Sequence, residues 1–168
     1  MKRHDAWERL LAGSIAGLAG TLLIQGVQAA GMKLIPGQMP PIRQHPGEFM
    51  VEKTEEAVQR SGEKWARAVE KVPDTAEKVV AQALGVGYGL TFALLYAAGR
   101  PKVRHLLAEG GALGLATWAA GYLGWLPATK LMPPVTRQKP VQVMGGIASH
   151  IAFGLVTASL YRELRRRL

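Results

Sequence analysis

The chain has no cysteine among its 168 residues. This absence excludes disulfide bonds, thiolate zinc sites, iron–sulfur clusters and cysteine nucleophiles. The sequence also lacks a G-x-S-x-G motif, an H-E-x-x-H motif and a phosphate-binding Gly-Lys-Ser/Thr loop. His4, His45 and His105 stand at unrelated spacings, so no metal site is expected. The sequence offers no catalytic residue and requires no cofactor, and we expect a protein that is not an enzyme.

Charge is missing from long stretches of the chain. Residues 10–32, 79–99 and 141–161 carry no charged side chain, and residues 106–126 carry only Glu109. Each stretch matches the roughly 20 residues that a helix needs to cross the hydrocarbon core. The net charge of +9 lies outside these stretches, which argues against a nucleic-acid binder. The pattern predicts an all-α polytopic membrane protein: a single membrane domain, residues 1–168, with four transmembrane helices in the lipid bilayer.

Basic residues in the short flanks predict the orientation of the four spans. One side carries ten Lys and Arg residues, whereas the loop between the third and fourth spans carries three. The positive-inside rule therefore places the N- and C-termini in the cytoplasm. The last group of this basic side acts as a set of topology anchors on anionic lipid, namely Arg162, Arg165, Arg166 and Arg167.

A hydrophilic insert separates the first two spans and predicts one extramembrane amphipathic helix over about residues 48–72. Val51, Val58, Trp65 and Val72 fall seven apart and form a narrow apolar stripe on a charged helix. Two interpretations stay open. The stripe lies on the membrane surface or on the bundle itself, or it docks a partner protein.

The two halves of the chain resemble each other. A first set of residues recurs 97 positions later: Gly13, Gly17-Leu18-Ala19 and Lys33-Leu34-Ile35-Pro36 return as Gly110, Gly114-Leu115-Ala116 and Lys130-Leu131-Met132-Pro133. A second set recurs 65 positions later: Gly89, Leu90, Ala93, Tyr96 and Arg100 return as Gly154, Leu155, Ala158, Tyr161 and Arg165. The pattern predicts two repeated helical hairpins, with the amphipathic helix inserted into the first copy.

Small residues four apart predict close helix packing, because backbone approach supplies the association of helices in lipid. These pairs use Gly13, Gly17, Gly85, Gly89, Gly110, Gly114, Gly145, Ser149, Gly154 and Ala158.

Polar residues inside the spans are the main functional candidates, because they are costly in lipid and tend to face protein. His150 has three open interpretations: a packed histidine, a residue that handles protons or a solute, or an axial ligand to a haem or chlorophyll. Gln25 and Gln28 share one face of the first span and favour interhelical hydrogen bonds. Glu109 favours a snorkelling or locally paired carboxylate. It lies at a different depth from His150, so the two should not form a dyad.

Several short motifs resemble the YagU-type family of small bacterial inner-membrane proteins. They are Met39-Pro40-Pro41-Ile42-Arg43, Arg100-Pro101-Lys102-Val103, Pro133-Pro134, Ser149-His150 and Arg162-Glu163-Leu164-Arg165. The resemblance implies a four-span protein of the bacterial inner membrane and supplies no catalytic residue.

Two functional classes follow. The first is a non-enzymatic accessory or scaffolding subunit of a larger membrane complex, which associates with other membrane subunits or with itself. The alternative is a small oligomeric transporter or channel that uses the repeat interface around His150 and Gln25.

Overall fold

The computed structural model describes residues 3–60, 74–99 and 103–168. These residues are helical and contain no strand, which confirms the all-α prediction. The chain divides into two compact units, one formed by residues 1–41 and 88–168 and the other by residues 42–87.

Long helices account for most of the described residues. In chain order the α-helices are α1 (Arg3–Leu34), α2 (Pro46–Arg60), α3 (Asp74–Gly99), α4 (Leu106–Trp118), α5 (Leu126–Ala128) and α6 (Pro140–Arg167). A π-helical segment, Ala119–Trp125, joins α4 to α5, and single 3₁₀ turns lie at Pro36–Gln38 and Val135–Arg137. Proline is the first residue of α2 and of α6, where its missing N–H costs nothing.

Three of the described helices are long and apolar enough to cross a membrane. They comprise Asp5–Leu34 in α1, Thr75–Gly99 in α3 and Pro140–Arg167 in α6. They contain three of the four predicted spans and extend each of them by several residues into charged flanks. Length and composition are therefore compatible with a membrane protein.

The remaining predicted span, residues 106–126, is not one regular α-helix. α4 ends at Trp118, and the chain continues in π-helical winding to Trp125. Gly124 has φ −99° and ψ −108°, which no helix adopts, and this residue breaks the segment. Glycine allows this backbone because it has no Cβ. The winding divides a stretch that the apolar pattern predicts as continuous.

The amphipathic helix predicted over about residues 48–72 is present from Pro46 to Arg60 as α2. Glu56 and Arg60, four residues apart on this helix, form an ion pair with Arg60 Nη2 3.5 Å from Glu56 Oε2. Val51 and Val58 of the predicted stripe are half-buried. The other half of the stripe, Trp65 and Val72, lies outside the described residues.

Glycines bring the helices of the first unit into backbone contact. Gly13 and Gly17 of α1 lie against Ala97 and Ala93 of α3. A side chain at either glycine would overlap the opposing alanine. This is the close approach that small residues permit between helices in lipid.

The contact between α4 and α6 is closer still. A Cβ on Gly114 would overlap the carbonyl group of His150, and a Cβ on Gly154 would overlap the carbonyl oxygen of Gly110. Backbone atoms, unlike side-chain ends, cannot turn away from such an overlap. Side chains are therefore excluded from the centre of this interface on both helices.

Substituting Gly114 tests this interface. Gly114→Ala should destabilise the protein by about 2 kcal/mol, because overpacking at a backbone contact forces the helices apart. Gly111→Ala is the matched control on the same helix, since open space surrounds that glycine. The measurement is the free energy of unfolding by SDS titration in mixed micelles. Equal stability of the two variants would contradict the packing described here.

Candidate functional site

His150 lies on α6 with 7% of its surface exposed. Its Nδ1 lies 2.8 Å from the carbonyl oxygen of Gly146, one turn earlier on the helix. A carbonyl only accepts hydrogen bonds, so Nδ1 carries the proton in this contact. In the neutral ring, Nε2 then keeps its lone pair. The backbone of α6 therefore fixes both the orientation and the tautomer of His150.

Two stacked aromatic residues after the middle of the third apolar stretch lie beside this histidine, and one of them contacts its ring. The ring of Tyr122 meets the His150 ring edge-on, with centroids 5.3 Å apart and an interplanar angle of 81°. Trp118 stacks on Tyr122 at 5.8 Å. Gly146 makes the approach feasible, since a Cβ there would lie 3.0 Å from Tyr122 Cε1 and 3.3 Å from Trp118 Nε1. We call Trp118, Tyr122 and His150 the aromatic cluster.

Two hydrogen-bond donors in the aromatic cluster are buried without partners. Among the described residues, neither Trp118 Nε1 nor the Tyr122 hydroxyl has a hydrogen-bond acceptor. A buried donor without an acceptor costs about 1–3 kcal/mol. Such groups are uncommon in folded proteins, and the described residues contain five other buried polar atoms without a partner, among them Trp125 Nε1 and Thr157 Oγ1.

The axial-ligand interpretation of His150 depends on its tautomer and on the groups around its ring. The tautomer suits an axial ligand, because metal-bound histidines commonly donate their other N–H to a carbonyl. However, an axial ligand also needs open space beyond Nε2 for the macrocycle. Tyr122 meets the His150 ring edge-on, and Gly114 of α4 lies against the His150 backbone. These contacts occupy two sides of His150.

Glu109 caps the start of α4. Its Oε1 accepts hydrogen bonds from the backbone N–H groups of Arg104 at 2.8 Å and His105 at 3.2 Å. Its Oε2 accepts a hydrogen bond from the Tyr96 hydroxyl at 3.1 Å. A carboxylate is favourable at a helix N-terminus because of the unpaired N–H groups there. The local pairing expected for Glu109 is thus made to backbone and to a tyrosine.

A charged cluster joins the two ends of the chain. Arg165 of α6 binds two carboxylates of α1: one guanidinium nitrogen contacts Asp5, and the other lies 3.1 Å from Glu8 Oε2. Arg9 lies beside them with its Nε 3.9 Å from Asp5 Oδ2. Arg165, expected as a lipid anchor, is therefore occupied by protein carboxylates. Arg167 Nη2 pairs with Glu163 at 2.8 Å.

The second unit contains an acidic cavity of about 380 Å³. It is lined by Gln44, Glu48, Val51, Glu52, Glu55, Glu77 and Lys78. Partial burial and the neighbouring Glu77 and Glu52 raise the pKa of Glu55 above its ordinary value. Outside the cavity, the hydrogen bond from Lys53 at 2.5 Å lowers the pKa of Glu56. The pKa values of these two carboxyl groups, which lie on one helix, are thus shifted in opposite directions.

The other candidate residues occupy a range of positions. Gly89 lies against Thr21, and Gly110 lies against Leu155. Ala158 is fully buried, and the Ser149 hydroxyl donates to the Gly146 carbonyl at 2.9 Å. Gly85, Gln25 and Gln28 are half-buried, whereas Gly145, Arg166 and Arg167 are exposed. Arg162 is half-buried.

Sequence reasoning missed the partners of two functional candidates. Trp118 and Tyr122 were not expected beside His150, although they are aromatic residues four apart on the neighbouring apolar stretch. Asp5 and Glu8 were not expected to bind Arg165. Asp5 and Glu8 are three residues apart, so both carboxylates lie on one helix face. This spacing is the signal that indicates a shared cationic partner.

No protein-family model, no curated protein and no solved structure matches this chain.

Removing the bridging guanidinium tests the charged cluster. Arg165→Gln should destabilise the protein by about 1–2 kcal/mol, because Asp5 and Glu8 lose the cation that joins them. Arg166→Gln is the matched control, since Arg166 is the exposed neighbour. Thermal unfolding in detergent, monitored by circular dichroism, compares the two variants. A loss no greater than that of Arg166→Gln would show that the cluster contributes nothing to stability.

Proposed function

We propose that this protein is a four-span protein of the bacterial inner membrane, built from two repeated helical hairpins. We propose further that it acts as a non-enzymatic accessory or scaffolding subunit of a larger membrane complex. The observation that carries the proposal is the backbone contact of α4 with α6 at Gly114 and Gly154. Backbone contact leaves little room for a solute between these two helices. The interface therefore favours a rigid structural role over transport.

A fourth span is supported by the way α4 runs beside α6. Gly110 meets Leu155, and Gly114 meets Ile151, so an advance of four residues on α4 matches a retreat of four on α6. The two helices are therefore antiparallel neighbours. Since α6 is long enough to cross the bilayer, a helix that follows it antiparallel through an apolar stretch is best explained as a span as well.

The repeat is supported by contacts between positions that the sequence pairs. Tyr96 and Tyr161, equivalent at an offset of 65, meet with ring centroids 5.6 Å apart. Two equivalent residues touch each other when they lie beside a twofold axis, as in an isologous interface. The repeat is therefore consistent with a pseudo-twofold axis along the membrane normal, running near these tyrosines.

A second pair of contacts supports the same axis. The Tyr88 hydroxyl of α3 donates to the Thr117 carbonyl of α4 at 3.1 Å. At the equivalent positions, Phe153 of α6 packs against Gly20 of α1. Tyr88 is equivalent to Phe153 at the offset of 65, and Gly20 is equivalent to Thr117 at the offset of 97. Each hairpin therefore contacts the other through matching residues.

An accessory role also requires a surface for other subunits. α3 is the least covered of the three long helices. In its most apolar 18-residue stretch, 17% is buried inside the protein, compared with 33% in the corresponding stretches of α1 and α6. Leu95 of α3 is 65% exposed. We therefore propose α3 as the helix that contacts other membrane subunits.

A small oligomeric transporter or channel is the second candidate. The observation in its favour is the aromatic cluster, where His150 keeps a free lone pair beside two unpartnered donors. Such groups can hold a proton or a small polar solute. In this candidate, His150 and Gln25 line the path at the repeat interface. The YagU-type resemblance favours neither candidate, because that family has no established molecular function.

Purification in mild detergent from native membranes separates the two candidates. Mass spectrometry of a tagged protein should identify a foreign membrane subunit in stoichiometric amount. Leu95→Trp should reduce its recovery, because the larger side chain disturbs the α3 surface. Leu107→Trp is the matched control, since Leu107 is a similarly exposed leucine on α4.

Recovery of a homo-oligomer without foreign subunits would contradict the accessory role. The transporter would then be favoured, and His150→Ala should abolish flux in proteoliposomes.

A further inference from the structure

The arginines at the end of α6 divide into two groups. Arg165 and Arg167 bind carboxylates of the protein. Arg162 and Arg166 have no carboxylate partner among the residues that the structure describes. The sequence predicts all four as equivalent anchors, whereas the structure leaves two of them available to a ligand.

The two available arginines lie on one face of the helix. Arg162 and Arg166 are four residues apart on α6, and the first is half-buried while the second is exposed. Like charges at this spacing repel each other and destabilise a helix. An anion that contacts both guanidinium groups removes this repulsion.

A third arginine lies at the same end of the neighbouring helix. Val103, the residue before Arg104, packs against a buried cluster that contains Tyr161, the residue before Arg162. The Arg104 side chain is exposed, and in the described part of the chain it has no carboxylate partner. Arginines of two segments, one before α4 and one at the end of α6, therefore lie at the same end of the α4–α6 pair.

The acidic side chains closest in sequence to these arginines are engaged with other groups. Glu163 pairs with Arg167. Glu109 accepts hydrogen bonds from backbone N–H groups before α4 and from the Tyr96 hydroxyl. The three guanidinium groups therefore form a patch of positive charge at the end of α6, a helix long enough to cross the membrane.

We propose that Arg104, Arg162 and Arg166 form a binding site for the headgroup of one anionic phospholipid. Phosphates of lipid headgroups lie at the ends of membrane-spanning helices, and guanidinium groups bind phosphate through paired, charge-assisted hydrogen bonds. A lipid bound in this way joins the ends of α4 and α6 beyond their glycine contacts. The site rests on the proposed membrane insertion of α6 and holds for an accessory subunit and for a transporter alike.

Native mass spectrometry of the full-length protein in detergent tests the site. The probes are phosphatidylglycerol and phosphatidylcholine with the same acyl chains, each titrated separately. One phosphatidylglycerol molecule should bind saturably and more tightly than phosphatidylcholine. In the double variant Arg104→Gln/Arg162→Gln, phosphatidylglycerol should bind about 25-fold more weakly, or about fivefold for each basic residue removed from the contact. Phosphatidylcholine binding should not change.

A matched control removes two positive charges elsewhere. Arg137 and Lys139 are exposed in the loop before α6, at the other end of that helix. The double variant Arg137→Gln/Lys139→Gln has the same net charge as the test variant. It should bind phosphatidylglycerol with the affinity of the unsubstituted protein, because neither residue belongs to the site.

Three results would overturn the proposal: equal loss of phosphatidylglycerol affinity in the two double variants, equal affinity of the unsubstituted protein for the two lipids, or displacement of the lipid by an equal concentration of glycerol 1-phosphate. The lipid preference is measured without any substitution, so it decides even if the test variant does not fold. A protein that binds both lipids equally loses only the site. A protein that binds neither lipid loses the membrane insertion of α6 as well.

Discussion

The close approach of backbones at glycine is the constraint on which the first unit depends. Lipid tails are as apolar as leucine, so burying apolar side chains gives little drive for helices to associate in a bilayer. Close packing at glycine replaces that drive. It occurs at Gly13 and Gly17 in one interface and at Gly110, Gly114 and Gly154 in the other. The cost is low helix propensity, which matters less where every backbone group must bond within its own helix.

Polar groups of the first unit lie near the glycine contacts and at the helix ends. Beyond Gly114 the chain changes to π winding, and there Trp118, Tyr122 and His150 meet. At the opposite end of α4, Glu109 binds free N–H groups and Tyr96. At the ends of α1 and α6, Arg165 joins Asp5 and Glu8.

Much of this arrangement can be predicted from local sequence. The charge-free stretches predict the long helices, and the small residues four apart predict which faces meet, because both signals depend on neighbours within one helix. Glu109 shows the limit. Its position one turn into α4 indicates a local role, but the hydroxyl of Tyr96 comes from another helix and has no signature in sequence.

The π-helical segment was beyond prediction for a different reason. AAGYLGW reads as an ordinary apolar stretch, and residues 22–28 of α1, its counterpart in the predicted repeat, are regular helix. Tyr122 of this segment packs against His150 of α6, a contact between helices that has no signature in local sequence. The pairing of Arg165 with α1 is likewise tertiary. The periodic pattern of α2 was predictable, but only its part up to Arg60 lies among the described residues.

The most direct test of the account is the membrane sidedness of the two chain ends of the α4–α6 hairpin. Because the chain has no cysteine, single cysteines at Arg104, Thr136 and Leu168 can be labelled with a membrane-impermeant maleimide. Four spans predict that positions 104 and 168 react from the cytoplasmic side and position 136 from the other. If residues 106–128 do not cross, positions 104 and 168 will react from opposite sides, and the four-span account fails.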